Sequence, residues 1–357
     1  METPSKTTKL FFWLILAAYS TFFAEVIAGS DPFPFFHLWG VLVVCPLYGL
    51  HTLILATLVF RHGRPWFHTL FAAGILFGLY EAYITKVLWA PPWTEDPVLI
   101  AGIAAPEFAV LALFWHPILA FFVPLLVGEG LLTGSRAIYA GLSERIRRWI
   151  GTPARARVAL AALTMTMAIT LTGNAASPSH TLLSTISTTG VLFLLTFLWR
   201  KVARGTRYSL EALLPNPREW SVLAVLLALL YILALPTLRP EALPGPGPQA
   251  VMWAIYLAAI IFFAQWLRRS RNASLPADSF PLSFSWRWLV ALIALFCVTA
   301  TAAKIVLAQL TEAVLVLVWL GGGGMGLITL VSAALALVRR RSTPQLAIKP
   351  IAVAEVS

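Results

Sequence analysis

The chain has 357 residues, of which 59% are hydrophobic and only 11% charged, with a mean hydropathy of +0.82. A globular surface needs roughly twice that share of charge, which excludes a water-soluble domain and makes the bilayer the solvent of this chain. The formal charge of +11 would suggest nucleic acid in a soluble protein. Here the positive residues sit between apolar stretches, as the positive-inside rule requires, and no nucleic-acid partner is expected.

A transmembrane helix takes about 20 largely apolar residues. Ten stretches qualify: 10–29, 36–60, 66–90, 100–132, 154–173, 181–200, 220–238, 250–267, 286–310 and 313–338. The first follows Lys6 and Lys9 like a signal peptide, but it carries Glu25 and no small-x-small cleavage site, so it reads as a retained helix. All but Lys86, Arg239 and Lys304 of the 26 Lys and Arg residues fall in alternate connections. The spacing therefore predicts an all-α, polytopic bundle with both termini cytoplasmic, in a prokaryotic cytoplasmic membrane. Trp13, Trp66, Trp149, Trp199, Trp220, Trp266, Trp286 and Trp288 mark the inner headgroup level, and Trp39, Trp89, Trp93 and Trp253 the outer.

Ionisable side chains inside these stretches mark functional sites, because a charge in the hydrocarbon costs several kcal/mol without a partner or water. Glu25 falls in the outer half of the first stretch. The second presents Tyr48, His51 and Thr52 on one face, just past Pro46, which removes a helical hydrogen bond. In the third, Gly74, Gly78, Glu81 and Thr85 share one face, a small-residue stripe that turns Glu81 into the bundle. Lys86 lies near the outer end, within reach of Glu81 or able to snorkel to the interface. The fourth stretch, interrupted by Pro106, Pro117 and Pro124, holds Glu107, His116 and an interfacial Glu129. Broken helices at this depth are tolerated only against protein or a watery cavity.

The connection 134–153 sets Ile138, Leu142, Ile146, Trp149 and Ile150 against Arg145, Arg147 and Arg148, the pattern of a basic helix lying on the inner interface. The fifth, sixth and ninth stretches carry Thr170, Thr172, Asn174, Ser184, Thr185, Ser187, Thr188 and Thr299. With Glu25, Glu81 and Glu107 these suggest a polar pocket opening outwards. The chain thus divides into a polar half (1–133), the basic connection, a plain scaffold half (154–341) and a disordered tail (342–357). The glycines 321–324 and Gly326 read as close packing or a hinge, since no Lys-Ser/Thr follows them.

Cys45 and Cys297 lie in apolar stretches and predict no disulfide. With no H-E-x-x-H, C-x-x-C or Walker A pattern, no metal ligand set is predicted and no cofactor is indicated.

The stretch Gly78-Leu-Tyr-Glu81-Ala-Tyr-Ile-Thr85-Lys86, followed by Phe114-Trp115-His116, resembles uncharacterised bacterial and archaeal multi-pass membrane proteins. It is also distantly similar to the CPBP (CAAX protease and Abi) intramembrane family, in which a Glu-Glu-x-x-x-Arg element precedes a Phe-x-x-x-His element. In this chain Tyr80 stands at the first glutamate and Lys86 is out of register with the arginine. The resemblance implies a membrane-embedded hydrolase with Glu81 as general base and His116 as a transition-state or metal-binding group.

Three functions fit the residues. One is an intramembrane enzyme with Glu81, His116 and Glu107 as catalytic groups and Glu25, Tyr48, His51 and Lys86 binding a lipid-soluble or extracytoplasmic small substrate. The second is a proton-coupled or cation-binding transporter of the ten-helix drug/metabolite type, using the same carboxylates. The third is a non-catalytic assembly subunit.

Overall fold

The computed structural model describes residues 3–275, 285–307 and 310–339; the tail expected to be disordered lies outside the described residues. Among the described residues nine helices are long and apolar enough to cross a membrane, and a tenth, Phe67–Ala82, is shorter. In chain order these are α1 (Lys6–Val26), α2 (Gly40–His62), α3 (Phe67–Ala82), α4 (Ala105–Leu132), α5 (Pro153–Thr172), α6 (Pro178–Val202), α7 (Pro217–Thr237), α8 (Pro246–Arg271), α9 (Trp286–Val306) and α10 (Thr311–Val338). The protein is an all-α polytopic bundle.

The helix starts follow from local chemistry. Pro153, Pro178, Pro217 and Pro246 open their helices, where a missing N–H costs nothing. Side chains of Ser5, Thr152, Ser177, Asn216 and Ser285 cap first-turn amides, and Asn216 completes a capping box with Glu219. Once these ends are fixed, burial of backbone polar groups in lipid permits little but a helix between them.

Helices α1 to α4 pack on one another as a central group. The closest pairing is α3 against α4, while α7 leans on α2, α8 on α3, α6 on α1, α10 on α4 and α5, and α9 on α5 and α6. Gly74 and Gly78 explain the α3–α4 approach. A Cβ at Gly74 would stand 2.4 Å from the Pro117 Cα, and one at Gly78 2.7 Å from the Ala112 Cα. Gly322 and Gly326 do the same for α10, with Phe114 and the Leu113 carbonyl 2.2 and 2.5 Å from the missing Cβ atoms. The glycine run is therefore close packing on one face; Gly321 and Gly324 have nothing within 4 Å.

Contacts sort the connections to two ends of the bundle. At one end Lys9 pairs with Glu219, the Arg61 guanidinium donates to the Pro215 carbonyl, and the Arg64 amide donates to Ser270 Oγ at 3.1 Å. At the other, Asn174 donates to the Ala28 carbonyl (2.7 Å), Ser184 to that of Pro32 (2.7 Å) and Arg239 to that of Ala90 (2.6 Å). The Lys/Arg-rich connections meet at the first end.

Three local expectations are corrected. Helix α3 does not run to residue 90: it tightens to a 3₁₀ turn at Leu79–Ala82 and stops. The chain then folds back, with the Trp89 indole donating to the Ala82 carbonyl and Lys86 in the left-handed region at φ 59°. Likewise α4 starts at Ala105 rather than 100, because Leu99–Ile100 and Ile103–Ala104 pair as a two-residue hairpin. Its turn, Ala101-Gly102, has φ of 52° and 80°, a positive pair that matches strand twist. Finally, the basic connection is two short helices, Ala137–Ala140 and Glu144–Trp149, not one. Glu129 is buried at the end of α4, and its carboxylate accepts the Ile138 and Tyr139 amides at 3.1–3.2 Å, holding the start of the first.

Candidate functional site

The break in α3 and a widened α4 together place the polar side chains. From Phe108 to Phe122 α4 runs as a π-helix around Pro117, a form found mostly as single turns and often at functional sites. His116 uses that geometry: its Nδ1 lies 2.9 Å from the Leu111 carbonyl, five residues back. A carbonyl oxygen only accepts, so Nδ1 carries a hydrogen and donates it.

His116 Nε2 then faces Glu81 Oε1 at 3.2 Å. With Nδ1 committed as donor, this contact is favourable only if one proton lies between the two atoms, as imidazolium–carboxylate or imidazole–carboxylic acid. The other Glu81 oxygen accepts from Thr85 Oγ1. Because α3 has ended, Thr85 reaches Glu81 from a turn rather than along a helical stripe. Both Glu81 and His116 are buried.

From this pair a chain of hydroxyls leads to Glu25. Tyr80 Oη lies 3.1 Å from His116 Nε2 and 2.9 Å from Tyr48 Oη, and Tyr48 donates to Glu25 Oε1 at 2.6 Å. Tyr48 also lies 3.5 Å from His116 Nε2, its ring stacked on the imidazole. Glu25 sits in a π-turn, Phe22–Val26, at the end of α1, is partly exposed, and takes a further bond from Ser30. The sequence Glu81–His116–Tyr80–Tyr48–Glu25 is thus a continuous hydrogen-bonded path from the buried centre to the partly open end.

His51 is beside this path but not in it. Its Nδ1–H donates to the Leu47 carbonyl (2.8 Å), so Nε2 accepts from Tyr231 Oη of α7 at 3.1 Å, and the neutral ring is satisfied. It stacks on Phe77, 4.7 Å between centroids. Lys86 neither pairs with Glu81 nor snorkels: it is fully buried, and its ammonium caps α7 by donating to the carbonyls of Ala234 (3.3 Å), Leu235 (2.7 Å) and Leu238. Glu107 is separate too. One oxygen accepts from the Trp93 indole at 3.1 Å and the other is buried with no hydrogen-bond partner.

Of the hydroxyls of the later helices, Thr170 turns back on Thr166, Thr185 on Thr181 and Thr188 on Ser184, while Ser184 reaches the Pro32 carbonyl. Sequence reasoning missed Tyr80 as a member of the site and Tyr231 as the partner of His51. The position of Tyr80 next to Glu81 was a signal; Tyr231, alone in a plain helix, gave none. Among the described residues no three His, Cys, Asp or Glu side chains gather as a metal ion would require.

Fold and site together define a multi-pass membrane protein with a buried carboxylate–imidazole–tyrosine network. The chain belongs to the family described as "Uncharacterized membrane protein family", whose sequence model matches residues 14–340. It is similar to an "Uncharacterized protein" of Archaeoglobus fulgidus, 47% identical over 130 residues, which are 36% of this chain and 41% of that relative. No solved structure matches the chain.

Proposed function

We propose that the protein is a proton-coupled membrane transporter in which Glu25, Tyr48, Tyr80, His116 and Glu81 relay a proton between the bundle's open end and its centre. The observation that supports this is the unbroken path itself. Each neighbour lies at 2.6–3.2 Å, and each hydroxyl can release its hydrogen to one neighbour while receiving another's. A proton arriving at Glu25 displaces the hydrogens of Tyr48 and Tyr80 inwards and ends shared between His116 and Glu81. Chains of Asp, Glu and His serve this purpose in membrane pumps and transporters. The Lys/Arg-rich end is cytoplasmic by the positive-inside rule, so Glu25 faces outwards and both termini lie inside a prokaryotic cytoplasmic membrane. The substrate is small and extracytoplasmic or lipid-soluble.

A pH jump followed by infrared absorption of protonated carboxyl groups tests the relay. Glu81→Gln should remove a band, and Tyr48→Phe, which deletes the linking hydroxyl with little change of shape, should slow the appearance of that band by about tenfold or more. An unchanged rate in Tyr48→Phe would overturn the path.

The close Glu81–His116 contact favours a second reading, a hydrolase-like intramembrane enzyme with Glu81 as general base. Reconstituted vesicles separate the two: accumulation of substrate driven by a pH gradient sinks the enzyme, and turnover in detergent without a gradient sinks the carrier.

A further inference from the structure

At the Lys/Arg-rich end, a cavity of about 500 Å³ opens between the end of α4, the end of α6 and the start of α9. Three guanidinium groups line it, those of Arg136, Arg200 and Arg207, together with Ser285 and Trp286. Among the described residues none of the three makes a salt bridge. Arg136 is held by the Glu129, Thr133 and Ser135 carbonyls, and Arg200 lies over the Trp286 ring, 4.9 Å from its centroid. The N-terminus of α9, a 21-residue helix starting at Trp286, adds its partial positive charge at the same mouth.

Leu131, Thr196 and Leu289 line it and also border a second, apolar cavity of about 180 Å³ that reaches Phe22 and Phe296. From Leu289 to Phe296 along α9 is about 10 Å at 1.5 Å per residue. Three of the four hydroxyls bordering this groove are occupied elsewhere: Tyr19 and Thr196 bond each other at 2.6 Å, and Thr189 donates to the Thr185 carbonyl. What the groove presents is hydrocarbon and ring.

From this juxtaposition we infer that the protein binds an anionic phospholipid of the inner leaflet, its phosphate in the Arg136/Arg200/Arg207 mouth and one aliphatic chain in the groove between α1, α4, α6 and α9. The charge complementarity selects a phosphate. Arginine forks match phosphate oxygens in two-pronged geometry, and basic pockets between membrane helices at this leaflet suit acidic headgroups. The adjoining apolar groove selects a lipid over a water-borne anion, since inorganic phosphate would leave the groove empty. The site shares no residue with the Glu81–His116 network and stands independently of its role.

The full chain, purified in detergent, is titrated with phosphatidylglycerol, with phosphatidylcholine of the same chains, and with inorganic phosphate, and bound molecules are counted by native mass spectrometry. One phosphatidylglycerol should bind in preference to phosphatidylcholine. The half-exposed or exposed Arg136, Arg200 and Arg207 tolerate replacement, and each change to Gln should weaken that binding by about tenfold, the loss of one charged hydrogen bond. Thr196→Phe, which adds bulk where the two cavities adjoin, should weaken the lipid and leave inorganic phosphate unaffected. Equal binding of the two lipids, phosphatidylglycerol binding that survives Arg200→Gln combined with Arg207→Gln, or inorganic phosphate competing as well as the lipid would each overturn the assignment.

Discussion

Helices α1, α2 and α4 are 72%, 61% and 78% buried within the protein over their most apolar windows, whereas α5 to α10 range from 39% down to 6% in α7. Both groups are equally apolar by composition, yet they live in different surroundings. The central helices face other protein and can hold carboxylates, an imidazole and tyrosines, because Glu81, His116, Tyr80, Tyr48 and Glu25 find partners in one another there. The outer helices face lipid over most of their surface, and hydroxyls there, those of Thr166, Thr237 and Thr329, bond back to carbonyls of their own helices, which hides them from the hydrocarbon. In lipid there is no hydrophobic drive between helices, so association rests on close packing and polar contacts. The central group has both; the outer group has chiefly the first.

The largest expected break of this contrast is at the α3–α4 contact. Gly74→Leu would drive a side chain into the Pro117 backbone and should lower stability by about 3 kcal/mol, the upper range for overpacking, read as loss of thermal stability in detergent. A stable Gly74→Leu variant would mean that the central helices do not pack this tightly. Next is Lys86→Met, which leaves the Ala234, Leu235 and Leu238 carbonyls without their cation. Removing a charge from a partly buried helix C-terminus costs about 1–2 kcal/mol, and the loss should appear as early proteolysis near α7. If Lys86→Met instead altered only proton uptake, the residue would belong to the relay after all.

The smallest effect sharpens the comparison within a single helix. On α10, Gly324 faces open space, so Gly324→Ala should stabilise by about 0.5–1 kcal/mol through backbone entropy. Gly326→Ala, on the face against Leu113, should do the reverse. Equal behaviour of the two would show that α10 does not present opposite faces to lipid and to α4.

The apolar lengths were enough to locate ten helices, nine of which are long enough to cross a membrane among the described residues, since a bilayer leaves the backbone few alternatives. The glycine pattern also told where helices approach closely: Gly74 and Gly78 lie against α4. What local pattern could not show was where α3 stops. Residues 83–90 are as apolar as a helix requires, and only the fold-back of Trp89 onto Ala82 and the burial of Lys86 against the end of α7 end it there.

The same division holds at the site. Glu25, Glu81 and His116 stand out in sequence because ionisable groups in hydrocarbon need a reason. Their joining depends on Tyr48 and Tyr80, ordinary membrane residues in isolation, and on a π-helical α4 that turns His116 towards Glu81. Sequence determines which side chains must find partners, because the cost of burying each is set by its own chemistry. Which partner each finds was decided only by the tertiary structure, because a break in one helix and a change of pitch in another move side chains by more than the length of a hydrogen bond.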